Sequence, residues 1–599
     1  MRRRVVLLIC AGWLGTAVAQ EPFTNSSLNG KYHFVQLLVS APGGRVAESR
    51  SLGGAITFNG AGSYTYAVEG AAGGQGTYAL AGAGNVTLAS PIQNTEQVSA
   101  YLSGDRNVLL GASTQTAGTA YDLFVAVRAP ASAVTNALLN GAYTGASVEF
   151  SGGLKSALVS LVASGSGQFG RVTVLGHAAD QGGRAASQQA ANCTYSLTSD
   201  GSGTASFGTA ANLFAGDRAI FVSQDGNYIL GRSTAGAIFV AVKNAGAPAS
   251  FEGRYWIAEL TVDGSSFSAA SGSLRAFANG RALISERLRQ DARTLDYAGL
   301  NLHSINRDGS GALGPRLAQG LTNMALGAGS FVGAQLGPLD KVTSQYGVFF
   351  GVRAPAFQGT GVFLDPAGVV NGASFAPMPH PAAPGAVVSL FGSGLASRES
   401  KATSFPLPTK LDDVVVTVNG TPAPLFFASA GQVSIQLPYA LKGNSVAIKL
   451  SNARGSSNEV TAALALTSPG VFSYGDSQSP SRGVVLHADY SLVTPDNPAH
   501  PGETVMIWLT GLGDLAPPVP TGAANPASPL SWAVDAQVNV IFGGEVASSV
   551  QYVGGAPGFA ALNQINAVIP LTVPVGTNVP VAISTGNAYA DLVDIPIAR

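Results

Sequence analysis

A pattern that recurs roughly every 110 residues restricts the fold of this chain more than any other feature of its sequence. Each copy opens with a Gly two positions before a Tyr and closes with an apolar run that ends in a Lys or Arg. The openings are residues 28–32, 139–143 and 251–255, and the closings are residues 121–128, 237–243 and 346–353. The closings are followed by Ala129-Pro130, Ala247-Pro248 and Ala354-Pro355, and proline ends a strand ladder because it lacks a backbone N–H. The pattern therefore predicts three successive units.

Short alternations of apolar and polar residues fill each unit, as in residues 55–58 and 62–66, and turn signals separate them. Asp225-Gly226, Asp263-Gly264 and Asp308-Gly309 are typical hairpin turns. They predict antiparallel meanders of some seven or eight strands that form small barrels or sandwiches. The openings resemble those of small β-barrel repeats in bacterial exported proteins. Residues 281–345 follow the pattern least, and we expect them to be irregular or partly helical.

The composition also favours an all-β chain with several domains. Only 11% of the residues are charged, and 76 of the 599 are Gly and 33 are Pro. This is too little charge for a helical protein, while the apolar pattern is too regular for disorder. A single hydrophobic core stops growing near ~250–300 residues, so one core is not expected here.

A second pattern is written twice between residues 384 and 569. Its copies begin with Pro-Gly strands at residues 384–395 and 501–513 and end with strands at residues 431–438 and 563–570. Residues from about 365 to 599, beginning with Val370-Asn371-Gly372, resemble the Solibacter-type uncharacterised C-terminal domain family. Each copy is similar to the immunoglobulin-like IPT/TIG sandwich. The resemblance implies two tandem sandwiches, and because the family has no assigned activity it implies no site residue.

The predicted organisation is therefore all-β, with three N-terminal antiparallel β units followed by two tandem immunoglobulin-like sandwiches. The predicted bounds are a signal peptide at residues 1–19, β units at 20–130, 131–248 and 249–355, a Pro-rich linker at 356–384, and immunoglobulin-like (IPT/TIG-like) domains at 385–475 and 476–599.

The first residues predict export. Three arginines precede an apolar run from Val5 to Leu14, and Ala17-Val18-Ala19 fits a signal-peptidase site. The run is shorter than the roughly 20 residues that a bilayer span needs, and Cys10 lies inside it rather than at the cleavage point, which argues against a membrane or lipid anchor. We expect a secreted or extracytoplasmic bacterial protein, in the periplasm or on the cell surface, with no transmembrane segment after cleavage.

The mature chain has one cysteine and a nearly balanced charge. Only Cys193 remains after cleavage, so no intramolecular disulfide can form, and the alternation over residues 193–197 places its thiol on the inner face of a strand. Cleavage leaves 29 Lys+Arg against 33 Asp+Glu, a net charge of about −4. Because there is no basic stripe, no nucleic-acid partner is expected.

No motif for a metal, a cofactor or catalysis stands out. The six histidines are scattered and no Cys pairs exist, so no metal site is expected; they are His33, His177, His303, His380, His487 and His500. The sequence has no nucleophile elbow and no phosphate loop. We therefore expect no cofactor, no catalytic residue and no enzyme.

Two sets of residues remain as candidates for a site. Carboxylates could serve as acid and base in principle, since a glycosidase needs two at ~5–9.5 Å; they are Glu149, Glu286, Asp291, Asp296 and Asp412-Asp413. Trp256 and Trp532 are near turns and are weak candidates for a ligand-binding surface that stacks on sugars. Trp508 lies in a run that is apolar on both faces, so we expect it in a core.

Three functions fit these observations. The leading hypothesis is an extracellular or cell-surface scaffold or adhesion-type interaction protein, with polysaccharide or cell-envelope components as candidate partners. The alternative is a carbohydrate- or small-ligand-binding protein that uses the N-terminal β units, because a closed barrel of about eight strands can hold one small ligand. The third is a polysaccharide hydrolase, which converging carboxylates with one raised pKa would favour.

Cleavage after Ala19 can be tested directly. Mass spectrometry of the N-terminal peptide of exported protein is expected to give a chain that begins at Gln20. A mature chain that retains Cys10 would contradict the prediction.

Overall fold

The computed structural model describes residues 21–93, 95–150, 152–234, 236–245, 251–315, 322–337, 341–475 and 481–599. The predicted signal peptide lies outside these ranges. The described residues form strands and five short 3₁₀ turns, with no α-helix among them, and this confirms the all-β class; the turns are Asn25–Ser27, Pro42–Gly44, Asn136–Leu138, Ala179–Gln181 and Asn212–Phe214. Within the same ranges no helix has the length and apolarity that a membrane crossing requires.

The chain divides into two compact units. The first comprises Pro22–Pro355 together with Pro377–His380, and the second comprises Ala356–Ala376 together with Pro381–Arg599. The first unit contains the three predicted β units, and the second contains the predicted tandem.

The first β unit is a closed barrel of eight strands, in which each strand pairs with the next and β8 returns to β1. Its strands are β1 (Asn29–Ser40), β2 (Glu48–Asn59), β3 (Ser63–Val68), β4 (Ala71–Leu80), β5 (Asn85–Ala89), β6 (Gln97–Leu102), β7 (Val108–Ala112) and β8 (Ala120–Arg128). We call it barrel 1.

The second β unit, barrel 2, is a curled sheet of nine strands that runs from β12 at one edge to β13 at the other. Its strands are β9 (Asn140–Glu149), β10 (Lys155–Ser164), β11 (Val172–Ala178), β12 (Ala186–Ala190), β13 (Thr194–Leu197), β14 (Ser202–Ser206), β15 (Asp217–Val222), β16 (Tyr228–Ser233) and β17 (Ala237–Lys243). As in barrel 1, the last strand pairs with the first, here β17 with β9.

The third β unit, barrel 3, closes through the pairs β18–β25 and β20–β21. Its strands are β18 (Gly253–Asp263), β19 (Ser266–Ala276), β20 (Arg281–Gln290), β21 (Arg293–Ile305), β22 (Ser310–Pro315), β23 (Thr322–Gly327), β24 (Ser330–Gln335) and β25 (Gln345–Arg353). The prediction that residues 281–345 are irregular or partly helical is wrong for the described part of that range. Their charged residues alternate with apolar ones at the period of a strand, as in Arg287-Leu288-Arg289.

The repeated openings and closings meet in space. In each barrel the opening Tyr stands directly across from the closing cation, as Tyr32–Arg128, Tyr143–Lys243 and Tyr255–Arg353. The Gly two positions earlier has a positive φ in all three barrels: 99° at Gly30, 109° at Gly141 and 94° at Gly253. A Cβ at any of these glycines would also contact the side chain of the closing cation. The positive φ and the close approach of the cation both require Gly at this position. This explains why each opening has a Gly two residues before its Tyr.

Each barrel packs several of its own aromatic side chains inside its bore. Barrel 1 contains Tyr32, Phe34, Phe58, Tyr78 and Phe124. Barrel 2 contains Phe169, Tyr195, Phe207, Phe214 and Phe239, and barrel 3 contains Phe251, Tyr255, Phe331 and Phe349.

The outward faces of the opening and closing strands are also apolar, because the three barrels share one core. The first two strands of barrel 1 (β1 and β2) pack on the last two of barrel 2 (β16 and β17). In the same way β9 and β10 of barrel 2 pack on β24 and β25 of barrel 3. The ring closes where β18 and β19 of barrel 3 pack on β7 and β8 of barrel 1. Leu37, Val148 and Leu260 occupy equivalent positions in this core and are fully buried. Burial of one such side chain stabilises a fold by about 1.5–3 kcal/mol, so each barrel depends on the other two.

A buried arginine joins barrel 3 to barrel 1 as well. Arg289, which has no exposed surface, donates hydrogen bonds to the main-chain oxygens of Thr116 and Ala120 and forms an ion pair with Glu96 at 2.8 Å.

The second unit contains two sandwiches, each with two sheets over one core. The first has the strands β26 (Phe363–Asn371), β27 (Val387–Ser393), β28 (Ser400–Lys401), β29 (Val415–Val418), β30 (Thr421–Pro422), β31 (Leu425–Ala428), β32 (Gln432–Gln436), β33 (Ser445–Asn452), β34 (Gly455–Ser456) and β35 (Val460–Ala463). Its sheets are β26-β27-β32-β31-β28 and β30-β29-β33-β34, with β35 also on β33. Leu390 and Ile435 of one sheet share the core with Val416 and Ile448 of the other.

The second sandwich has the same plan. Its strands are β36 (Gly470–Val471), β37 (Ser473–Tyr474), β38 (Arg482–Gly483), β39 (Val485–Leu486), β40 (Thr504–Thr510), β41 (Leu515–Ala516), β42 (Trp532–Ala533), β43 (Asn539–Phe542), β44 (Glu545–Val546), β45 (Ser549–Gly555), β46 (Asn563–Val568), β47 (Gly576–Ser584) and β48 (Ala588–Ile597). One sheet has the order β36-β40-β46-β45-β42-β41, and β48, β47, β43 and β44 form the facing sheet. Ile507 and Ile565 of the first sheet meet Val581 and Ile595 of the second.

The predicted Pro-rich linker at residues 356–384 is wrong for its middle part, because β26 lies inside it. All nine residues of β26 are buried, and the strand pairs with β27. The register shifts between Leu364 and Val369, so Pro366 lies in a bulge, where a missing N–H does not interrupt the ladder.

The closing contact of barrel 3 predicts a cost for Gly253→Ala. A Cβ at this position would come within 2.5 Å of Nη1 of Arg353, whose guanidinium lies 4.4 Å from the centre of the Tyr255 ring. We expect the free energy of unfolding to fall by about 1–3 kcal/mol, from backbone strain and a displaced arginine. Urea unfolding of the mature chain measures this change.

Gly264→Ala is the matched control. Gly264 also has a positive φ, of 60°, but nothing lies within 4 Å of the position that a Cβ would occupy, so only the strain of about 1 kcal/mol should appear. Equal losses for the two variants would contradict a role for the closing cation.

Candidate functional site

Trp256 lies at the contact between barrels 1 and 3. It has no exposed surface, and its ring stacks on Tyr101 with the ring centres 4.8 Å apart and the planes at 26°. A ring buried in this way cannot stack on a sugar. Trp256 is therefore withdrawn as a ligand-binding candidate.

Trp532 lies on β42 of the second sandwich and is 48% exposed. Its ring packs against Tyr552, with the ring centres 4.8 Å apart and the planes at 71°. Leu530 and Val534, two residues away on either side, are also exposed, whereas Ser531 is buried and Ala533 packs against the core. The usual alternation of a strand is therefore inverted here, with large apolar side chains toward solvent and small ones toward the core.

The prediction that Trp508 lies in a core is wrong, because the residue is only partly buried. It lies on the side of β40 opposite the core residues Ile507 and Leu509. Its ring packs on Phe559 at 5.4 Å between centres.

Most of the candidate carboxylates are neutralised by nearby cations or exposed in turns. Glu149 lies 3.2 Å from Lys155, Asp296 lies 3.0 Å from Arg287, and Asp412 lies 2.5 Å from Arg398. Asp413 accepts a hydrogen bond from the main-chain N–H of Ala453, and the exposed Asp291 accepts one from the hydroxyl of Ser266. These contacts are structural and bring no acid and base together.

Glu286 is the exception, and it meets a carboxylate that the sequence patterns did not single out. Glu286 on β20 is on the inward side of its strand with Ala282 and Ile284, and Glu259 on β18 is on the inward side with Tyr255 and Ile257. One strand, β19, lies between them, and its residues opposite the two carboxylates are Ala270 and Gly272. Because both are small, no larger side chain on β19 separates the two carboxyl groups inside the bore.

The electrostatics of this pair are unlike those of the other carboxylates. Glu286 is 6% exposed, and its Oε1 has no hydrogen-bond partner. Burial raises the pKa of Glu259 to about 7, and burial together with the charge of Glu259 raises the pKa of Glu286 well above its ordinary value. No described cation offsets these shifts, since Arg287 and Arg289 are on the outward side of β20 and bind elsewhere.

Barrels 1 and 2 carry a satisfied polar group at the same place. Gln36 follows Tyr32 by four residues, as Glu259 follows Tyr255, and its amide donates to Asp122 at 2.6 Å and to Ser90 at 3.0 Å. Asp122 also accepts hydrogen bonds from the N–H and the hydroxyl of Ser113. In barrel 2 the equivalent Ser147 donates to a main-chain oxygen at 3.0 Å. Alignment of the three repeats is the signal that could have identified Glu259.

A cleft of about 480 Å³ lies beside the edges of barrel 2, where the sheet does not close. Its polar lining includes Gln168, Arg171, Gln189 and Asn192. Cys193 borders it and packs into the bore, as its strand position predicted, and burial raises the pKa of the thiol. The lining has no carboxylate and no histidine, so the cleft holds no acid–base pair.

The histidines that lie between barrels have packing roles. His33 lies 3.2 Å from the main-chain oxygen of Val222, and His177 stacks on Tyr346 with the ring centres 4.3 Å apart. Burial lowers the pKa of both imidazoles. Over the described part of the chain, no group of three or more His, Cys, Asp or Glu side chains is arranged to hold a metal ion.

No protein-family model matches this chain, and no curated protein matches it. Among solved structures, it is similar to a protein of unknown function from the DUF3598 family of Nostoc punctiforme, with 13% identity over 36% of this chain and 97% of that one and a TM-score of 0.14. It is also similar to the extracellular region of plexin A4. For domains 1 to 8 the identity is 8%, over 91% of this chain and 80% of that one, with a TM-score of 0.13. At these values the likenesses carry no conclusion about fold or function.

The raised pKa values of Glu259 and Glu286 predict a pH-dependent stability. The folded chain holds protons at pH values where the unfolded chain has released them, so the stability is fully present below pH 4.5 and is lost as the pH rises through about 7 and beyond. The other elements around the pair present Tyr297, Phe349, Ala270 and Gly272. Glu286→Gln removes one acid and its repulsion of Glu259, so we expect a smaller loss of stability over this pH range.

Urea unfolding at several pH values between 4.5 and about 8, in a chelating buffer, measures this effect. Asp291→Asn in the exposed turn between β20 and β21 is the control and should keep the wild-type profile. Identical profiles for Glu286→Gln and the wild type would show that the pair does not titrate as expected.

Proposed function

We propose that this protein is an extracytoplasmic interaction protein built of several β domains, with a binding surface on the second sandwich. The observation that carries the proposal is the inverted strand, with Leu530, Trp532 and Val534 directed to solvent. Soluble proteins rarely expose large apolar side chains side by side unless a partner covers them.

The surroundings of Trp532 suit recognition. The ring is held by its contact with Tyr552, and the hydroxyl of Tyr552 donates to the main-chain oxygens of Ser531 and Gly555. Binding therefore orders few side chains, which lowers its entropic cost. A half-exposed indole ring offers an apolar surface on which a pyranose ring can pack, so we propose a cell-envelope polysaccharide as the partner.

The barrels contribute rigidity in this proposal. The bores of barrels 1 and 2 are filled by aromatic side chains, and their opening and closing strands are buried in the shared core. A small-ligand function of the N-terminal units is therefore confined to the bore of barrel 3, where Glu259 and Glu286 lie. This second candidate rests on the unpaired Oε1 of Glu286.

A polysaccharide hydrolase has less support. Converging carboxylates with raised pKa values occur, but they lie among the strands of a barrel rather than on an open concave face. A polymer substrate needs an open cleft to reach its acid and base. Export itself rests on residues 1–19 and on the resemblance of the tandem to an exported-protein family.

Retention on polysaccharides tests the proposal. The mature chain, residues 20–599, is mixed with insoluble polysaccharides and with cell-envelope fractions, and bound protein and released sugar are measured in the same tubes. We expect retention on one polysaccharide without sugar release. Trp532→Ala should weaken it about 30-fold, the effect of losing about 2 kcal/mol from a central aromatic anchor.

Leu571→Ala is the matched control, because Leu571 is 78% exposed in the same sandwich but lies outside the inverted strand. It should bind as the wild type does. Undiminished retention of Trp532→Ala would exclude the inverted strand as the binding surface, and released sugar would establish an enzyme.

A further inference from the structure

Glu259 and Glu286 place two carboxyl groups in the bore of barrel 3, on the inward sides of β18 and β20. The side chain of Glu286 is only 6% exposed, and its Oε1 lies in the bore without a hydrogen bond. Glu259 is only partly buried, so a water-sized space lies beside it. Burying a carboxyl group without a partner is costly, and such groups are concentrated at functional sites.

The other two barrels show that the fold itself does not require this arrangement. At the equivalent positions Gln36 and Ser147 form hydrogen bonds with their own barrels. Where barrel 1 places the acceptor Asp122, six residues before the closing cation, barrel 3 has Gly347. Barrel 3 therefore has two carboxylates and lacks the network that would satisfy them.

The side chains around the pair define the chemistry of a ligand. Phe349 stands opposite Glu259, and Tyr297 stands opposite Glu286. The side chains of the pair and of these neighbours therefore offer oxygen atoms and no nitrogen or sulfur. Oxygen donors of this kind select hard cations such as Ca²⁺ and Mg²⁺ over metals that prefer nitrogen or sulfur.

We propose that the bore of barrel 3 binds one hard divalent cation between Glu259 and Glu286, with Ca²⁺ as the best-suited ion. Ca²⁺ accepts six to eight oxygen ligands in irregular geometry, whereas Mg²⁺ demands a near-ideal octahedron. Two carboxylates supply up to four oxygens, and water completes the shell. With so few charged ligands the expected dissociation constant is about 10⁻⁴–10⁻³ M, the range of extracellular calcium modules.

The test uses the mature full-length chain after removal of metal with a chelator. CaCl₂ is titrated at constant ionic strength while the melting temperature and the heat of binding are measured. We expect one site per chain and a saturable rise in Tm with half-saturation in the stated range. Terbium, a luminescent substitute for Ca²⁺, should show emission on excitation of tyrosine, since Tyr297 stands directly opposite Glu286.

The variants separate a bound ion from a general salt effect. Glu259→Gln with Glu286→Gln keeps the size of both side chains and removes their repulsion, so the chain should fold and lose the calcium response. Glu286→Gln alone should weaken binding at least 10-fold, and Asp291→Asn should leave it unchanged. An equal calcium response in the double variant, or none in the wild type, would overturn the proposal.

The outcome is independent of the proposed interaction surface, because Trp532 belongs to a different unit of the chain. Loss of polysaccharide retention in Trp532→Ala with a normal calcium response would support both. A missing calcium response would leave the binding experiment unaffected.

Discussion

The pairing of the first strand with the last in each barrel is the constraint on which the rest of the N-terminal structure depends. It sets the opening Tyr opposite the closing cation, and it requires a Gly where that cation crosses the strand. The same pairing brings two apolar strands side by side on the outer surface of the barrel. Three such double strands, each covered by the next barrel, make the shared core that contains Leu37, Val148 and Leu260.

Much of this could be predicted from the sequence, because repeated residues mark repeated geometry. The Gly-x-Tyr openings and the Ala-Pro steps indicated three units, and the alternation within them indicated antiparallel strands. The pattern did not choose between a barrel and a sandwich, since both bury one face of each strand. It also did not show why the closing strands are apolar on both faces, because the second face packs against a barrel more than 100 residues away in the sequence.

The candidate sites could likewise be predicted only in part from the sequence. Trp256 is near a turn, as expected, but the ring of three barrels covers it, and no local pattern encodes that contact. Trp532 stays exposed because Ser531 and Ala533, not the large residues, face the core. Glu286 could be named from the sequence as a candidate carboxylate. Its partner Glu259 could be identified only once the structure showed which residues of β18 and β20 face the same bore. The linker was predicted from its high proline content. A strand forms there nevertheless, because Pro366 lies in a bulge.

The three barrels contact one another in a closed ring, and this arrangement has a consequence for how the chain folds. The first two strands of barrel 3 cover β7 and β8 of barrel 1, and barrel 3 closes only when β25 has formed, so the apolar face of β8 cannot be fully buried until the chain has been made as far as residue 353. Contacts between residues so far apart slow folding and leave intermediates with exposed apolar strands. A nascent chain of this kind stays incompletely folded through most of its synthesis, and the export that we propose requires that it be kept in that state until it has crossed the membrane.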